Sequence, residues 1–82
     1  MVHPISIFFM DNQLKGCLFV ADFGVFKVYC DFWVICIQSV HIFSIGDVLL
    51  VTDVNETESG RLVYEIGGDH YYHHSFRLGT RY

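Results

Sequence analysis

Apolar and polar residues alternate along this chain in short runs, and turn-forming residues interrupt each run before it reaches the length of a helix. His3 to Met10 opens the series, with Ile5, Ile7 and Phe9 on one face and Ser6 and Phe8 on the other, as the period of two in a strand requires. Asp11-Asn12-Gln13 reads as a turn, because Asp and Asn side chains bond their own backbone nearby. Leu14 to Asp22 is a second strand, in which Cys17, Phe19 and Ala21 alternate against Leu18 and Val20. Asp22-Phe23-Gly24 turns again. The longest signal runs from Phe26 to Gln38. Phe26, Val28, Cys30, Phe32, Val34 and Cys36 share one face, and Lys27, Tyr29 and Asp31 the other, which becomes apolar at Trp33, Ile35 and Ile37. The second half of this strand is therefore expected to be buried on both faces, by a bend, a bulge or a partner surface.

Ser39 to Ile45 is a connector or a short strand, and Gly46-Asp47 leads into a strand over Val48 to Val54. Residues 55–60 form a polar hairpin loop. Arg61 to Ile66 returns, with Leu62, Tyr64 and Ile66 inward and Arg61, Val63 and Glu65 outward. Gly67-Gly68-Asp69 is a tight turn, since glycine accepts positive φ. Tyr71 to Leu78 is a last strand, or a strand ended by a short turn, and residues 79–82 are a tail. No segment carries an amphipathic stripe of helical period with caps. The expected fold is a single all-β domain over residues 1–82, built from six to seven short antiparallel strands. Closure into a small barrel, or two sheets face to face, would remove most of the exposed edges.

Composition sharpens this picture. The chain has 82 residues, enough for one domain, and 52% are hydrophobic while only 17% are charged. So little polar surface leaves apolar residues exposed or covered by a partner, most simply a second copy of the chain. The charge is −4, with seven acids against Lys15 and Lys27 in residues 1–60, and Arg61, Arg77 and Arg81 against Glu65 and Asp69 beyond. An acidic body opposes general nucleic-acid binding, which needs a basic face to neutralise phosphates. It suits a basic protein surface. The uncharged stretch from Phe32 to Gly46 is about 15 residues, short of the ~20 that span a bilayer, and Asp31 and Asp47 bound it, so no membrane segment is expected.

Cys17, Cys30 and Cys36 lie in apolar runs and match no zinc or Cys-x-x-Cys spacing. They read as reduced core thiols of an intracellular, cytoplasmic protein. The N-terminal residues lack the basic region and cleavage site of a secretory signal.

From Phe43 onward the order of elements resembles small phage-encoded SH3-like barrels. Phe43-Ser44-Ile45-Gly46-Asp47-Val48-Leu49-Leu50-Val51 is similar to their opening strand. A polar loop, a strand, a glycine turn and an aromatic strand ending Ser75-Phe76-Arg77-Leu78 follow. The likeness covers residues 43–78 and carries over no functional residue. It implies an SH3-like barrel with an extra N-terminal hairpin, and a phage or viral origin.

The densest chemistry is Gly68-Asp69-His70-Tyr71-Tyr72-His73-His74. On a helical turn His70, His73 and His74 would share a face, as metal ligands do. On a strand His70 and His74 join Tyr72 while His73 points away. The strand fits its surroundings better. Its simplest reading is an exposed aromatic strand with solvated imidazoles, and the functional reading beside it is a protein-binding surface anchored on Tyr71, Tyr72, His73 and Arg77. Stacking of nucleic-acid bases on Tyr71, Tyr72 and Phe76 beside Arg77 and Arg81 ranks below it. Neither the acid pairs Asp22/Asp31 and Asp47/Asp53, nor Ser44, Ser75 or the cysteines, stand in a catalytic pattern. No cofactor is expected. The functional expectation is a non-enzymatic interaction module, such as a phage accessory protein that docks on a host or defence factor and blocks it. An SH3-like nucleic-acid-contacting or assembly subunit stands second, and a histidine-cluster metal protein third.

Overall fold

The computed structural model describes residues 3–11 and 14–79; for β1 and the ends of β2 only the course of the backbone is described. Strands β1 (His3–Asp11), β2 (Leu14–Ala21) and β3 (Gly24–Tyr29) form an antiparallel meander. β4 (Phe32–Cys36) is the centre of a second sheet, flanked by β5 (Val48–Val51) and β9 (Phe76–Leu78). β6 (Asp53–Glu56), β7 (Leu62–Ile66) and β8 (Asp69–Tyr72) form the third. A single 3-10 turn over His73–Ser75 precedes β9. The expected turn at Asn12 and Gln13, the facing of Ile5, Ile7 and Phe9, and the tail beyond Gly79 lie outside what is described.

The all-β class stands, but the strand count and the closure differ from expectation. Among the described residues there are nine strands rather than six or seven, and they are hydrogen-bonded as three separate three-stranded sheets, not as one closed barrel. Two of the expected strands are each divided between sheets. The run from Phe26 to Gln38 breaks at Cys30 and Asp31, so its first half pairs in the first sheet and its second half centres the second. The run from Val48 breaks at Thr52, whose N–H donates to the Glu65 carbonyl at 3.0 Å and carries the chain into the third sheet. Chains that switch sheets through such bends make the corners of small β folds. The last expected strand is also divided, by the 3-10 turn at His73.

Alternation holds through the first break and slips by one residue at the second, where Val51 and Val54 are both buried. Val28, Phe32, Val34 and Cys36 are buried, and Trp33 and Ile37 on the opposite face are 44% and 45% exposed. The expectation that β4 is buried on both faces is therefore corrected: the corner at residue 30–31 turns one face inward and leaves the other to solvent. Leu62, Tyr64 and Ile66 point inward as expected, with Arg61 exposed. Gly67 and Gly68 both hold positive φ, 62° and 89°, which a two-residue hairpin turn of this hand demands.

One core serves all three sheets. Phe32 of β4 stands edge-on to Phe19 of β2 at 6.0 Å and to Tyr64 of β7 at 5.6 Å, and all three are essentially inaccessible. Around this trio lie Cys17, Val28, Val34, Cys36, Val51, Val54, Leu62, Phe76 and Leu78. At the rim, Lys15 Nζ pairs with Asp53 at 3.3 Å and donates to Asn55 Oδ1 at 3.2 Å, tying the first sheet to the third.

Truncating Phe32 leaves a cavity facing three sheets. Phe32→Ala is expected to cost ~3–5 kcal/mol of unfolding free energy in urea titration, whereas Ile42→Ala, on a side chain 76% exposed, should shift it by no more than about 0.5 kcal/mol.

Candidate functional site

The third sheet brings the aromatic and histidine residues of 70–74 to the surface in an order set by its hairpin. Counting outward from the Gly67-Gly68 turn pairs Asp69 with Ile66, His70 with Glu65, Tyr71 with Tyr64 and Tyr72 with Val63. His70 and Tyr72 therefore share the outer face with Glu65 and Val63, while Tyr71 turns toward the core beside Tyr64. Tyr71 packs on Phe43 at 5.2 Å and on Phe76 at 6.1 Å. It is a half-buried rim residue rather than a free contact. Tyr72 is exposed. The Arg61 guanidinium sits 3.9 Å from its ring centroid, and the His74 ring stacks on it at 6.0 Å. A cation and a second aromatic ring thus both pack on Tyr72.

The 3-10 turn separates the histidines. His74 goes out to Tyr72, and His73 goes in, 6.5 Å from the Tyr64 ring. His70 remains on the strand, 4.0 Å from Glu65. Among the described residues, no group of three or more His, Cys, Asp or Glu side chains is placed to hold a metal ion. Arg77 belongs to a different surface. It lies on β9 opposite Ile35, on the outer face of the second sheet. The four residues expected to form one protein-binding surface are thus distributed: Tyr72 outward on the third sheet, Tyr71 and His73 turned inward, Arg77 on the second sheet.

That second sheet carries an apolar face of its own. The register sets Trp33 beside Leu50 and Ile35 beside Val48, with Arg77 on the far side of Ile35. Trp33, Ile37 and Val48 are 44%, 45% and 60% exposed.

Asp22 and Asp47 lie in turns, as expected, and Asp47 Oδ2 accepts the Ser44 N–H at 2.9 Å. Asp53 opens β6 and is committed to Lys15 and to the Val54 N–H at 2.9 Å. Two of the thiols, Cys17 and Cys30, are far from the reactive thiolate form. Burial, aided by Cys30, pushes Cys17 up to about 12 against a hydrogen bond donated by the Tyr64 hydroxyl. Burial and the carboxylates of Asp53 and Asp31 push Cys30 up to about 11, opposed by Lys15. Burial likewise holds the Tyr64 phenol above its ordinary range. No helix among the described residues is long and apolar enough to cross a membrane.

Two residues outside the expected set shape the site. Arg61 is 11 positions from Tyr72, yet the turn arithmetic brings them together, so the signal was the Gly67-Gly68 turn itself. His41 packs on Tyr71 at 6.1 Å from the turn between Val40 and Phe43, and no local pattern announces that contact.

Burial, then His74 and Arg61, hold the His73 imidazole below its ordinary value of 6.5. The unfolded chain then binds a proton more readily than the folded one. Stability should hold above pH ~6.5, fall as the unfolded-state imidazole protonates below it, and level off under the folded-state value. Thermal unfolding from pH 7.5 to 5 should show this fall, and His73→Gln should reduce its slope. With thiols so weakly acidic, a disulfide reagent at pH 7.5 should titrate Cys17 and Cys30 far more slowly in the folded chain than in guanidinium.

Compared with known proteins, the chain matches no family model, no curated protein and no solved structure.

Proposed function

We propose that this chain is a non-enzymatic protein-interaction module whose contact surface centres on Tyr72. The observation that carries the reading is the exposed Tyr72 ring, packed by both Arg61 and His74. Tyrosine and arginine are the residues that most often anchor interfaces, because each offers a large contact area with few rotors to freeze and a polar end to pair. Preordering the ring lowers the entropy lost on binding. Glu65 lies on the same sheet face across from His70, and the chain carries a charge of −4, which suits a basic protein surface and opposes a phosphate backbone. The nucleic-acid alternative therefore ranks second.

The SH3-like reading draws support from residues 43–78. A strand run bends from one sheet to the next, a glycine hairpin follows, and a 3-10 turn precedes a last strand that pairs with β4. With the small size and the acidity, this favours a phage or viral accessory protein that blocks a host or defence factor by occupying its surface. Fold likeness supplies no target.

A second reading rests on the outer face of β5-β4-β9, where Trp33, Ile35 and Val48 lie in register: self-association through that face. Light scattering across a concentration series should show mass rising above the monomer, and Val48→Lys should abolish the rise. A constant monomer mass removes this reading.

Affinity capture from host lysate, read by mass spectrometry, tests the main one. The wild-type chain should retain a dominant partner that Tyr72→Ala loses by at least ~10-fold, with an unchanged circular-dichroism spectrum. A partner kept in full by Tyr72→Ala overturns the placement of the site.

A further inference from the structure

We propose that β8 is the edge on which this module receives its partner, and that the partner is an extended peptide segment with a basic side chain, adding to the third sheet as a fourth strand. This deepens the protein-interaction reading and rests on it.

Three observations converge on β8. It ends the strand order β6-β7-β8, hydrogen-bonded to β7 alone among the described strands. The outer side of an end strand presents backbone donors and acceptors that a further strand can use. Two depressions meet along it. One, about 340 Å³, is lined by Thr57, Val63 and Tyr72, and the other, about 290 Å³, by His41 and Asp69, with His70 and Tyr71 shared between them. Successive side chains of an added strand point to opposite faces of the sheet, so the depression with Val63 and Tyr72 on the outer face and the one with Tyr71 and Asp69 on the inner face would take alternate residues of such a segment.

The third observation is the difference in chemistry between the two. Val63 and the Tyr72 ring make the first mostly apolar. The second sets the Asp69 carboxylate beside the rings of Tyr71 and His41. A carboxylate next to aromatic faces suits the ammonium of lysine or the guanidinium of arginine, which can pair with the one and lie against the other. Glu65, across the ladder from His70, is a further negative group on the outer face of the same sheet. Arg61 is at the Tyr72 end, already set over that ring, so the cationic residue of the segment belongs at the Asp69 end. The whole-chain charge of −4 favours approach of a basic segment.

The test uses the full chain and two fluorescein-labelled octapeptides, one alternating Val with Lys and one alternating Val with Glu. Fluorescence anisotropy should show binding of the Val/Lys peptide and none of the Val/Glu peptide. Amide hydrogen exchange should slow within Asp69–Tyr72 when the Val/Lys peptide is present. Asp69→Asn should weaken that binding by ~3- to 5-fold, while Glu58→Gln, an exposed acid in the 57–60 turn, should leave it unchanged. Equal loss in both variants, protection on Val48–Val51 instead of β8, or no binding of the Val/Lys peptide overturns the proposal. A lysate partner that is lost with Tyr72→Ala while the peptide fails to bind leaves the interaction module standing and removes strand addition. Absence of any lysate partner together with peptide binding at β8 leaves strand addition standing and removes only the Tyr72-centred placement of the contact surface.

Discussion

The edge-on contacts of Phe32 with Phe19 and Tyr64 are what make three small sheets one structure. Each ring comes from a different sheet, so their contacts join the three sheets in one buried core. Aromatic edges against faces add a directional preference to the burial itself, so the trio sets the separation of the sheets and their relative rotation. The Tyr64 hydroxyl is fixed in turn by its bond to Cys17, which satisfies the only polar atom the trio brings inward.

This arrangement explains what the surface can offer. With Tyr64 anchored inside, its ladder partner Tyr71 is drawn down onto Phe43 and Phe76, and the neighbours on either side of Tyr71, His70 and Tyr72, must face out. The interaction surface is the alternate register of the core. The same rule operates on β4: Phe32, Val34 and Cys36 go in, and Trp33 and Ile37 are left outside. These two surfaces are by-products of where the core residues sit.

Much of this was legible from alternation alone. The inward set on β7, the glycine turn and the outward His70 and Tyr72 follow from a period of two. What alternation could not show was where a strand changes sheets. The Phe26–Gln38 run keeps its phase across Cys30 and Asp31, so a pattern that reports only inside and outside passes through the corner without a mark. At Thr52 the phase does slip, since Val51 and Val54 are both buried three positions apart, but a continuous apolar run of valines and leucines before it masks the change. The dispersal of Tyr71, His73 and Arg77 has the same origin. Grouping them by nearness in sequence treated residues 71–78 as one strand, and the 3-10 turn at His73 sends the chain to a different sheet.

The position of β9 sets the order in which the molecule can be assembled. β4 is paired on one side with β5, close to it along the chain, and on the other with residues 76–78, and the Gly79 N–H closes on the Trp33 carbonyl at 2.9 Å. The meander and the hairpins close through short loops and can form as they are synthesised. The second sheet must wait for a segment more than forty positions away. Until residue 78 has left the ribosome, one side of β4 stays unpaired, and the half-made chain carries an open apolar strand at its centre.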